Sequence, residues 1–368
     1  MKANLIRKTW KNWNYLNEYC VLISNTDSGL SSRITIKDLA EQLKVSTSTV
    51  SRALQDHPDI STKTKKMVWD LADQLNYHPN IIAASLRKNK TFTLGVIVPE
   101  IVHYFFSSII SGIEDVAYSE GYKVIICQSS ENYQREVINL EALITGRVDG
   151  VLMSISKQTD SFEHVKETLA RGIPLIFFDR ICEKLKTSRV VVDDYQGAFE
   201  ATSHLIGQGC KRIAHLAGPD SLLICRERKR GFIDALKKHN FSFDESLSVL
   251  AQNREDGQKA TRELMNSNNP PDAFFTNNDY TAAGSLLMLK SMGFKIPSDV
   301  AVVGFTDDPG ICTIVDPTLS SVHQPAYEMG SESARILLNL LKSGIDTFDN
   351  IILKTHLVVR QSSKRKNS

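Results

Sequence analysis

Residues 45–54 read V-S-T-S-T-V-S-R-A-L and contain five serines and threonines in a segment that its neighbours predict to be helical. Ser and Thr are indifferent helix formers, but Ser is a favoured N-cap, so Ser46 is predicted to begin a short helix ending near Leu54. The predicted buried face is Val50, Ala53 and Leu54, and the opposite face is Thr47, Ser48, Ser51 and Arg52. A polar face of this composition can either face solvent or contact a polyanion.

Two further short helices flank this segment. Residues 34–45, I-T-I-K-D-L-A-E-Q-L-K-V, have apolar residues at helical spacing, with Thr35 as N-cap and Asp38 three residues later. The third helix is capped by Ser61, and its apolar side is Met67, Val68, Leu71, Ala72 and Leu75. Three short helices with a tight turn predict a helix-turn-helix domain at residues 34–78. The periodicity equally allows an ordinary three-helix bundle with a solvated face.

The segment after the third helix favours DNA binding. Residues 77–88 read Y-H-P-N-I-I-A-A-S-L-R-K, in which Pro79 ends the third helix and Asn80 can cap a new short one. An apolar helix of this length with a basic end is marginal alone in water, but it can fold against the DNA minor groove. The second helix of the domain would then lie in the major groove, where hydroxyls bond phosphates and base edges and Arg52 contacts guanine.

The run T-I-K-D-L-A…V-S-T-S-T-V-S-R-A-L…I-S-T-K-T…L-N-Y-H-P-N…S-L-R resembles the DNA-binding head and hinge of the lac repressor family of bacterial transcription regulators. The resemblance implies a hinge at residues 79–91 and a Leu86 side chain that opens a central base step. Two positions depart: Lys44 stands where a turn glycine is common, and Ala84 where many members have Arg. The predicted DNA-binding residues are Ser46, Thr47, Ser48, Thr49, Arg52, Asn80, Leu86 and Arg87.

From residue 92 the pattern changes to short apolar runs that alternate with helices. This βαβ alternation predicts two doubly wound, Rossmann-like subdomains over residues 92–368, with the chain crossing between them and a ligand clamped where strands end. The expected helices include 106–119 and 195–207. The expected strands are 94–98, 124–127, 150–153, 175–178, 190–192, 213–216, 273–276 and 300–305, all read as buried.

Polar residues follow three of these strands: D-R at 179–180, N-N-D at 277–279 and T-D-D at 306–308. Arg, carboxylates and amides suit a hydroxyl-rich ligand, although Asp279 is equally expected to cap a helix. The body also resembles the family, from V-I-V-P-E-I to L-V-V-R-Q-S-S, and thus a periplasmic sugar-binding protein fused behind a DNA-binding head. At position 306 the family usually has an effector-binding Asp, but this chain has Thr306; either Asp307 substitutes for that Asp or the ligand differs in kind. The predicted effector-binding residues are Phe105, Phe106, Asp179, Arg180, Arg228, Asn278, Thr306 and Asp307.

Charge and composition limit the classes of function that fit this chain. Residues 1–90 carry 14 Lys+Arg and 8 Asp+Glu, a net charge of +6, whereas the rest of the chain carries −4, so a basic head precedes a mildly acidic body. The six scattered cysteines form no C-x-x-C pair, and we predict neither metal nor cofactor. No apolar run suggests a membrane span or a signal peptide, so a cytoplasmic protein is expected. Residues 1–33 lie outside the resemblance; we expect either a poorly ordered extension or a translation start nearer Ile34.

Together these features predict a DNA-binding transcription regulator, a repressor and homodimer that binds a palindromic operator and a small-molecule effector such as a sugar. Three alternatives stay open. The same fold could respond to a protein corepressor, a possibility that the Thr306 departure allows, or the chain could be a solute-binding protein without DNA function. An enzyme of a doubly wound fold is the third, but the sequence has no G-x-G-x-x-G, P-loop or G-x-S-x-G motif.

Overall fold

The computed structural model describes residues 34–77, 90–344 and 348–365. The chain divides into two compact units between Lys88 and Asn89, here called the head and the body. The expected N-terminal extension, and the expected hinge up to Asn89, lie outside the described residues.

The head consists of the three predicted helices: α1 (Ile36–Gln42), α2 (Thr47–Leu54) and α3 (Thr62–Gln74). Both predicted serine caps are confirmed, since Thr49 N donates to Ser46 Oγ over 3.1 Å and Thr64 N donates to Ser61 Oγ over 3.2 Å. The helices enclose a small apolar core of Leu39, Ala40, Val50, Ala53, Val68 and Ala72.

Two residues of the head lie differently from the prediction. Ser51 is buried rather than on the exposed face, because α1 and α3 both pack against α2 and widen its buried side. Met67 lies at the edge of the apolar stripe of α3 and is 47% exposed. The exposed face of α2 is therefore narrower than the sequence suggested.

The body alternates strands and helices along the chain. Its elements, in chain order, are β1 (Thr93–Val98), α4 (Tyr104–Ser119), β2 (Lys123–Gln128), α5 (Tyr133–Thr145), β3 (Gly150–Met153), α6 (Glu163–Ala170), β4 (Leu175–Phe178), β5 (Arg189–Val192), α7 (Asp194–Gly207), β6 (Ile213–Ala217), α8 (Leu223–Lys238), a 3₁₀ turn (Glu245–Leu247), β7 (Ser248–Leu250), α9 (Arg254–Met265), β8 (Ala273–Thr276), α10 (Asp279–Ser291), β9 (Ala301–Thr306), α11 (Pro309–Cys312), β10 (Ser320–His323), α12 (Ala326–Ser343), β11 (Asn350–Leu353) and β12 (His356–Val358).

These elements form two lobes, each built on a six-stranded sheet in the described part of the chain. The strand order of the first lobe is β11-β5-β4-β3-β1-β2, all parallel, and that of the second is β12-β10-β9-β8-β6-β7, with only β12 antiparallel to its neighbour. Helices cover both faces of each sheet, so each lobe has an apolar core on either side. The chain passes between the lobes after β5, after β10 and after β11, as the predicted crossing requires.

Helix α12 lies far along the chain but belongs to the first lobe. It packs against α4, where Gly112 and Gly330 let the two helices approach closely. A Cβ atom on Gly112 would collide with the backbone oxygen of Tyr327, and one on Gly330 with the backbone oxygen of Ile109. The first lobe therefore depends on the return of the chain after β10.

All eight predicted strands are present, with ends shifted by at most one residue. The expectation that all are buried is wrong for β2, an edge strand in which Ile125 and Ile126 are 45% and 41% exposed. Four further strands, β7, β10, β11 and β12, were not predicted, because they are only three or four residues long and contain Ser, Asn or His.

Candidate functional site

The hydroxyl groups at the start of α2 form one hydrogen-bonded cluster. Ser46 Oγ lies 2.7 Å from Ser48 Oγ and 2.8 Å from Thr49 Oγ1, and it also accepts from the backbone of Thr49. Thr47 is exposed and lies outside this cluster. The cluster fixes the helix N-terminus, whose backbone N–H groups and dipole favour phosphate oxygens.

Arg52 lies on the exposed face of α2, about one turn beyond the hydroxyl cluster, and its side chain is 58% exposed. Its Nη1 atom is 4.0 Å from Asp59 Oδ2, and His57 Nδ1 is 3.4 Å from the same oxygen. A surface pair of this length contributes little to stability, so Arg52 can leave it to contact a base. The predicted DNA-binding residues Asn80, Leu86 and Arg87 lie outside the described residues.

Between the lobes of the body lies a cavity of about 610 Å³. It is lined by the ends of strands and the starts of helices from both lobes, as the topology of parallel sheets requires. The lining residues are Glu100, His103, Phe105, Phe106, Glu131, Lys157, Asp179, Arg180, Gly218, Pro219, Leu222, Ile224, Cys225, Arg228, Gln252, Asn253, Arg254, Glu255, Asn277, Asn278, Asp279, Tyr280, Thr306, Asp308 and Gln324.

The first lobe contributes charged side chains that pair with each other in the wall of this cavity. Arg180 Nη1 donates to both carboxylate oxygens of Glu131 over 2.9 Å, and Lys157 N donates to Glu131 Oε2 over 2.9 Å. Burial raises the pKa of Glu131, but the cations Arg180 and Lys157 outweigh it and hold that pKa below its usual range. Burial raises the pKa of the neighbouring Asp179. The cations and carboxylates here neutralise each other before any ligand binds.

The second lobe contributes Arg228, whose guanidinium is already bound within the protein. Its Nε donates to Asp194 Oδ1 over 2.8 Å, its Nη1 donates to the carbonyl oxygen of Asn277 over 2.5 Å, and its Cζ lies 3.7 Å from the ring centroid of Phe305. Burial raises the pKa of Asp194 to about 7, against the opposing effect of Arg228. Arg228 therefore forms a rigid part of the cavity wall.

Several buried polar atoms in the cavity wall have no hydrogen-bond partner among the residues that the structure describes. In the enclosed part they are Arg180 Nε, Asn277 Oδ1 and Gln324 Nε2, and nearer the mouth there is His103 Nδ1. Leaving such atoms unpaired costs free energy, so each is a place where a ligand group can bind. The aromatic pair Phe105 and Phe106 adds an apolar surface on which a sugar ring can stack.

The segment after β9 lies differently from the prediction. Asp307 is not among the lining residues, because its carboxylate turns away to Arg360 Nη2 at 2.7 Å and His323 Nδ1 at 3.2 Å. Asp308 lines the cavity instead, and Thr306 donates to Gln324 Oε1 over 3.2 Å. The expected shift of the effector carboxylate from position 306 to Asp307 is therefore wrong for this structure.

The neighbouring pair Asn278 and Asp279 also differs from the prediction. Asn278 is the N-cap of α10, accepting from Thr281 N over 2.9 Å and donating to the carbonyl oxygen of Gln252 over 3.2 Å. Asp279 is buried and accepts from Ser321 Oγ over 2.6 Å and from Asp308 N over 2.8 Å. The capping role expected of Asp279 is wrong, and Asp279 instead fixes the loop after β9.

The structure brings seven of the eight predicted effector residues to the cavity, all but Asp307. Several polar residues of the wall are absent from the predicted effector-binding set, among them Glu131, Lys157, Asn277 and Gln324. Asn277 and Gln324 stand directly after strands, which is a usable signal for a parallel sheet. Glu131 and Lys157 gave no such signal, because only the folded loops after β2 and β3 bring them to Arg180.

The described helices include none long and apolar enough to cross a membrane. Residues 34–77, 90–344 and 348–365 contain no cluster of His, Cys, Asp and Glu that could hold a metal ion.

Two family models match the chain. One, described as "Bacterial regulatory proteins, lacI family", matches residues 35–80. The other, described as "Periplasmic binding proteins and sugar binding domain of LacI family", matches residues 91–361. Together they account for both the head and the body.

Similar proteins include repressors from two organisms. The HTH-type transcriptional repressor CytR of Escherichia coli (strain K12) is 32% identical over 331 residues, covering 90% of this chain and 96% of the relative. The ribose operon repressor of Halalkalibacterium halodurans is 33% identical over 332 residues, covering 90% of this chain and 97% of the relative.

Among solved structures, a complex of the transcriptional regulator CelR with cellobiose has a TM-score of 0.68 and 29% identity, covering 90% of this chain and all of that one. The lac repressor dimer bound to operator has a TM-score of 0.81 at 24% identity, covering 90% of this chain and 99% of that one, and so shares the fold.

Proposed function

The chain belongs to the lacI family of bacterial regulatory proteins, and we propose that it represses transcription as a homodimer on a palindromic operator, under the control of a small hydroxyl-rich effector. The observation that carries the proposal is the presence of both parts in one chain. The head exposes a helix N-terminus rich in hydroxyls beside Arg52, and the body encloses a cavity with unpartnered polar atoms. A solute-binding protein would not need the head, and we propose a regulator that acts in the cytoplasm, where DNA is, rather than an enzyme.

The head supports sequence-specific binding. Thr47 and Arg52 are exposed on α2, and Arg52 can make two hydrogen bonds to one guanine. The N-terminus of α2 can bind a backbone phosphate and so orient the helix in the major groove. The residues Asn80, Leu86 and Arg87 would add minor-groove contacts, as the family resemblance implies.

The cavity supports an uncharged, hydroxyl-rich ligand. Two of its arginines are already paired, Arg180 with Glu131 and Arg228 with Asp194, so neither is left free to bind an anionic ligand. The free atoms are a mixture of donors and an acceptor, which a set of sugar hydroxyls can satisfy. Among the relatives, one is named a ribose operon repressor and one structure contains cellobiose, which agrees with a sugar or sugar derivative.

Dimerisation is supported by apolar side chains that the folded body leaves exposed. They lie on the edge strand β2 of the first lobe, at Ile125 and Ile126, and on helix α10 and the segment after α11 in the second, at Leu287 and Ile314. A symmetric dimer buries the same surface on both subunits, and it presents two heads to the two half-sites of a palindrome.

The test is selection of bound duplexes from a random DNA pool by the purified full chain, followed by sequencing. We expect enrichment of a palindrome, and loss of that enrichment for the variant Arg52→Ala. Selection repeated with a panel of sugars should change the yield of the palindrome for at least one of them. A palindrome that no sugar affects would point to control by a partner protein, and absence of any enriched sequence would overturn the proposed DNA recognition.

A further inference from the structure

The cavity in the body extends well beyond the residues predicted to bind the effector. We propose that its outer part is a second subsite, so that the effector is a glycoside of two linked rings rather than a single monosaccharide. This rests on the proposed function, because it assumes that the cavity takes a sugar-like ligand. The outer subsite is defined here by His103, Asn253, Arg254, Glu255 and Tyr280.

Burial divides the cavity wall into two parts. Phe106, Asp179, Asn277 and Gln324 are each at most 8% exposed, and together with Arg180 and Arg228 they form the inner part. Asn253, Arg254 and Glu255 are exposed, and His103 and Tyr280 are half-buried. The inner part can therefore enclose one ring completely, while the outer part holds a second ring that keeps some contact with water.

The volume of the cavity exceeds what one ring requires. At about 610 Å³ it falls within the roughly 300–1,000 Å³ of pockets that enclose drug-sized molecules. A single furanose or pyranose ring is smaller than such a molecule and would leave much of this volume to water. Two linked rings use both parts and exclude that water.

The outer part of the cavity is bordered by side chains from both lobes. His103, from the first lobe, and Tyr280, from the second, meet edge to face with ring centroids 4.5 Å apart. His103 Nε2 lies 2.6 Å from Glu100 Oε2, and Tyr280 donates to Asp308 Oδ2 over 3.4 Å. Both rings are therefore held in place by a carboxylate of their own lobe, and they offer apolar surface to a sugar or a base.

Unpartnered polar atoms occur in both parts. His103 Nδ1 is in the outer part, whereas Arg180 Nε, Asn277 Oδ1 and Gln324 Nε2 are in the inner part, and none has a hydrogen-bond partner within the described ranges. Because Nε2 of His103 faces Glu100, Nδ1 is the ring nitrogen left to form a hydrogen bond with a ligand hydroxyl or amine. A ligand that reaches both parts satisfies both sets of atoms, and a monosaccharide satisfies only one.

The test is calorimetric titration of the full chain with matched pairs of compounds. The pairs are glucose with cellobiose and maltose, xylose with xylobiose, and ribose with adenosine and cytidine. We expect at least one two-ring compound to bind about tenfold or more tightly than its monosaccharide. A disaccharide or a nucleoside would each support the proposal and would identify the second ring.

Variants separate the two parts of the cavity. His103→Phe keeps the ring against Tyr280 but removes the unpartnered ring nitrogen, and it should lower the ratio of two-ring to one-ring affinity about tenfold. His103→Gln retains a side-chain acceptor and should restore part of that ratio, while Arg180→Ala should weaken both compounds together. Thermal melting checks that each variant folds.

The outcomes distinguish this proposal from the function on which it rests. Equal affinity for a monosaccharide and its two-ring partners, unchanged in ratio by His103→Phe, would overturn the second subsite and leave the sugar effector intact. Failure of every compound to bind would overturn the sugar effector itself, and the second subsite with it.

Discussion

Arg228 and Asp194 form a buried ion pair across helices α8 and α7, with Nε and Oδ1 2.8 Å apart and both side chains at most 5% exposed. The family resemblance implies that Arg228 contacts effector, yet its guanidinium is already held by Asp194, by a backbone carbonyl and by the ring of Phe305. A ligand therefore meets an arginine whose orientation is fixed in advance, which lowers the entropy cost of binding.

Replacing one member of this pair leaves the other buried without a partner. We expect Arg228→Leu to destabilise the body by about 3–5 kcal/mol, because removing one partner of a buried ion pair leaves an uncompensated charge. The double variant Arg228→Leu/Asp194→Leu should regain much of that loss. Denaturant unfolding of the full chain followed by circular dichroism measures both, and equal stabilities of the single and double variants would contradict the pairing.

The turn between α1 and α2 contains the departure noted at Lys44. Its φ is 54°, in the left-handed region that favours glycine. Lys44→Gly should stabilise the head by about 1 kcal/mol, because glycine has no Cβ to strain there. All three tryptophans lie outside the body and Trp69 lies on α3, so tryptophan fluorescence during unfolding reports mainly on the head. Lys37→Gly, inside α1, is the control and should destabilise the head by a similar amount.

Helix caps were predictable from the sequence, whereas the directions of side chains in the cavity were not. Ser46 and Ser61 are correctly predicted as caps, because an N-cap depends on side chains within three residues of it. Asp307 is wrong as a lining residue because its direction is set by Arg360, more than fifty positions later in the chain. The pairing of Arg180 with Glu131 was missed for the same reason, since no local pattern links the loops after β2 and β4. Contacts between residues close in the sequence can be predicted from the sequence, whereas the direction of a side chain within a cavity depends on packing between distant segments.

Asp279 should give the body a distinct pH dependence. Burial raises its pKa from 3.8 to about 6, although Ser321 and Asp308 N act in the opposite direction. A carboxyl whose pKa is raised on folding binds its proton more tightly in the folded state, so its contribution to stability falls as pH rises from about 4 to 7. In Asp279→Asn this contribution is absent. The stability of the parent relative to the variant should therefore fall by roughly 2 kcal/mol between pH 4 and pH 7.

The measurement for Asp279 is denaturant unfolding at several pH values between 4 and 7. Asp220→Asn removes an exposed carboxylate and is the control for the change in charge. A difference between parent and Asp279→Asn that stays constant across this range would contradict the raised pKa of the buried carboxyl.

Leu86 lies outside the described residues, and its role rests on the family resemblance. We expect Leu86→Ala to weaken operator affinity, because the smaller side chain cannot open the central base step. Effector affinity should hardly change, since the cavity lies within the body. Titration of operator by fluorescence anisotropy and of effector by calorimetry gives both affinities. Unchanged operator binding would contradict the opening of a base step by Leu86.

Arg52 should determine one base pair of each half-site. A bidentate contact to guanine contributes roughly 1–3 kcal/mol of discrimination, so Arg52→Ala should weaken operator binding by that amount and relax the preference at one symmetric pair of positions. Binding to random DNA should change less, because it depends mainly on phosphate contacts and salt. Lys66→Ala, which removes another basic side chain of the head but leaves α2 intact, is the matched control. If both variants weakened binding equally across all sequences, Arg52 would be a phosphate contact and base reading would have to be assigned to Thr47 and Ser48.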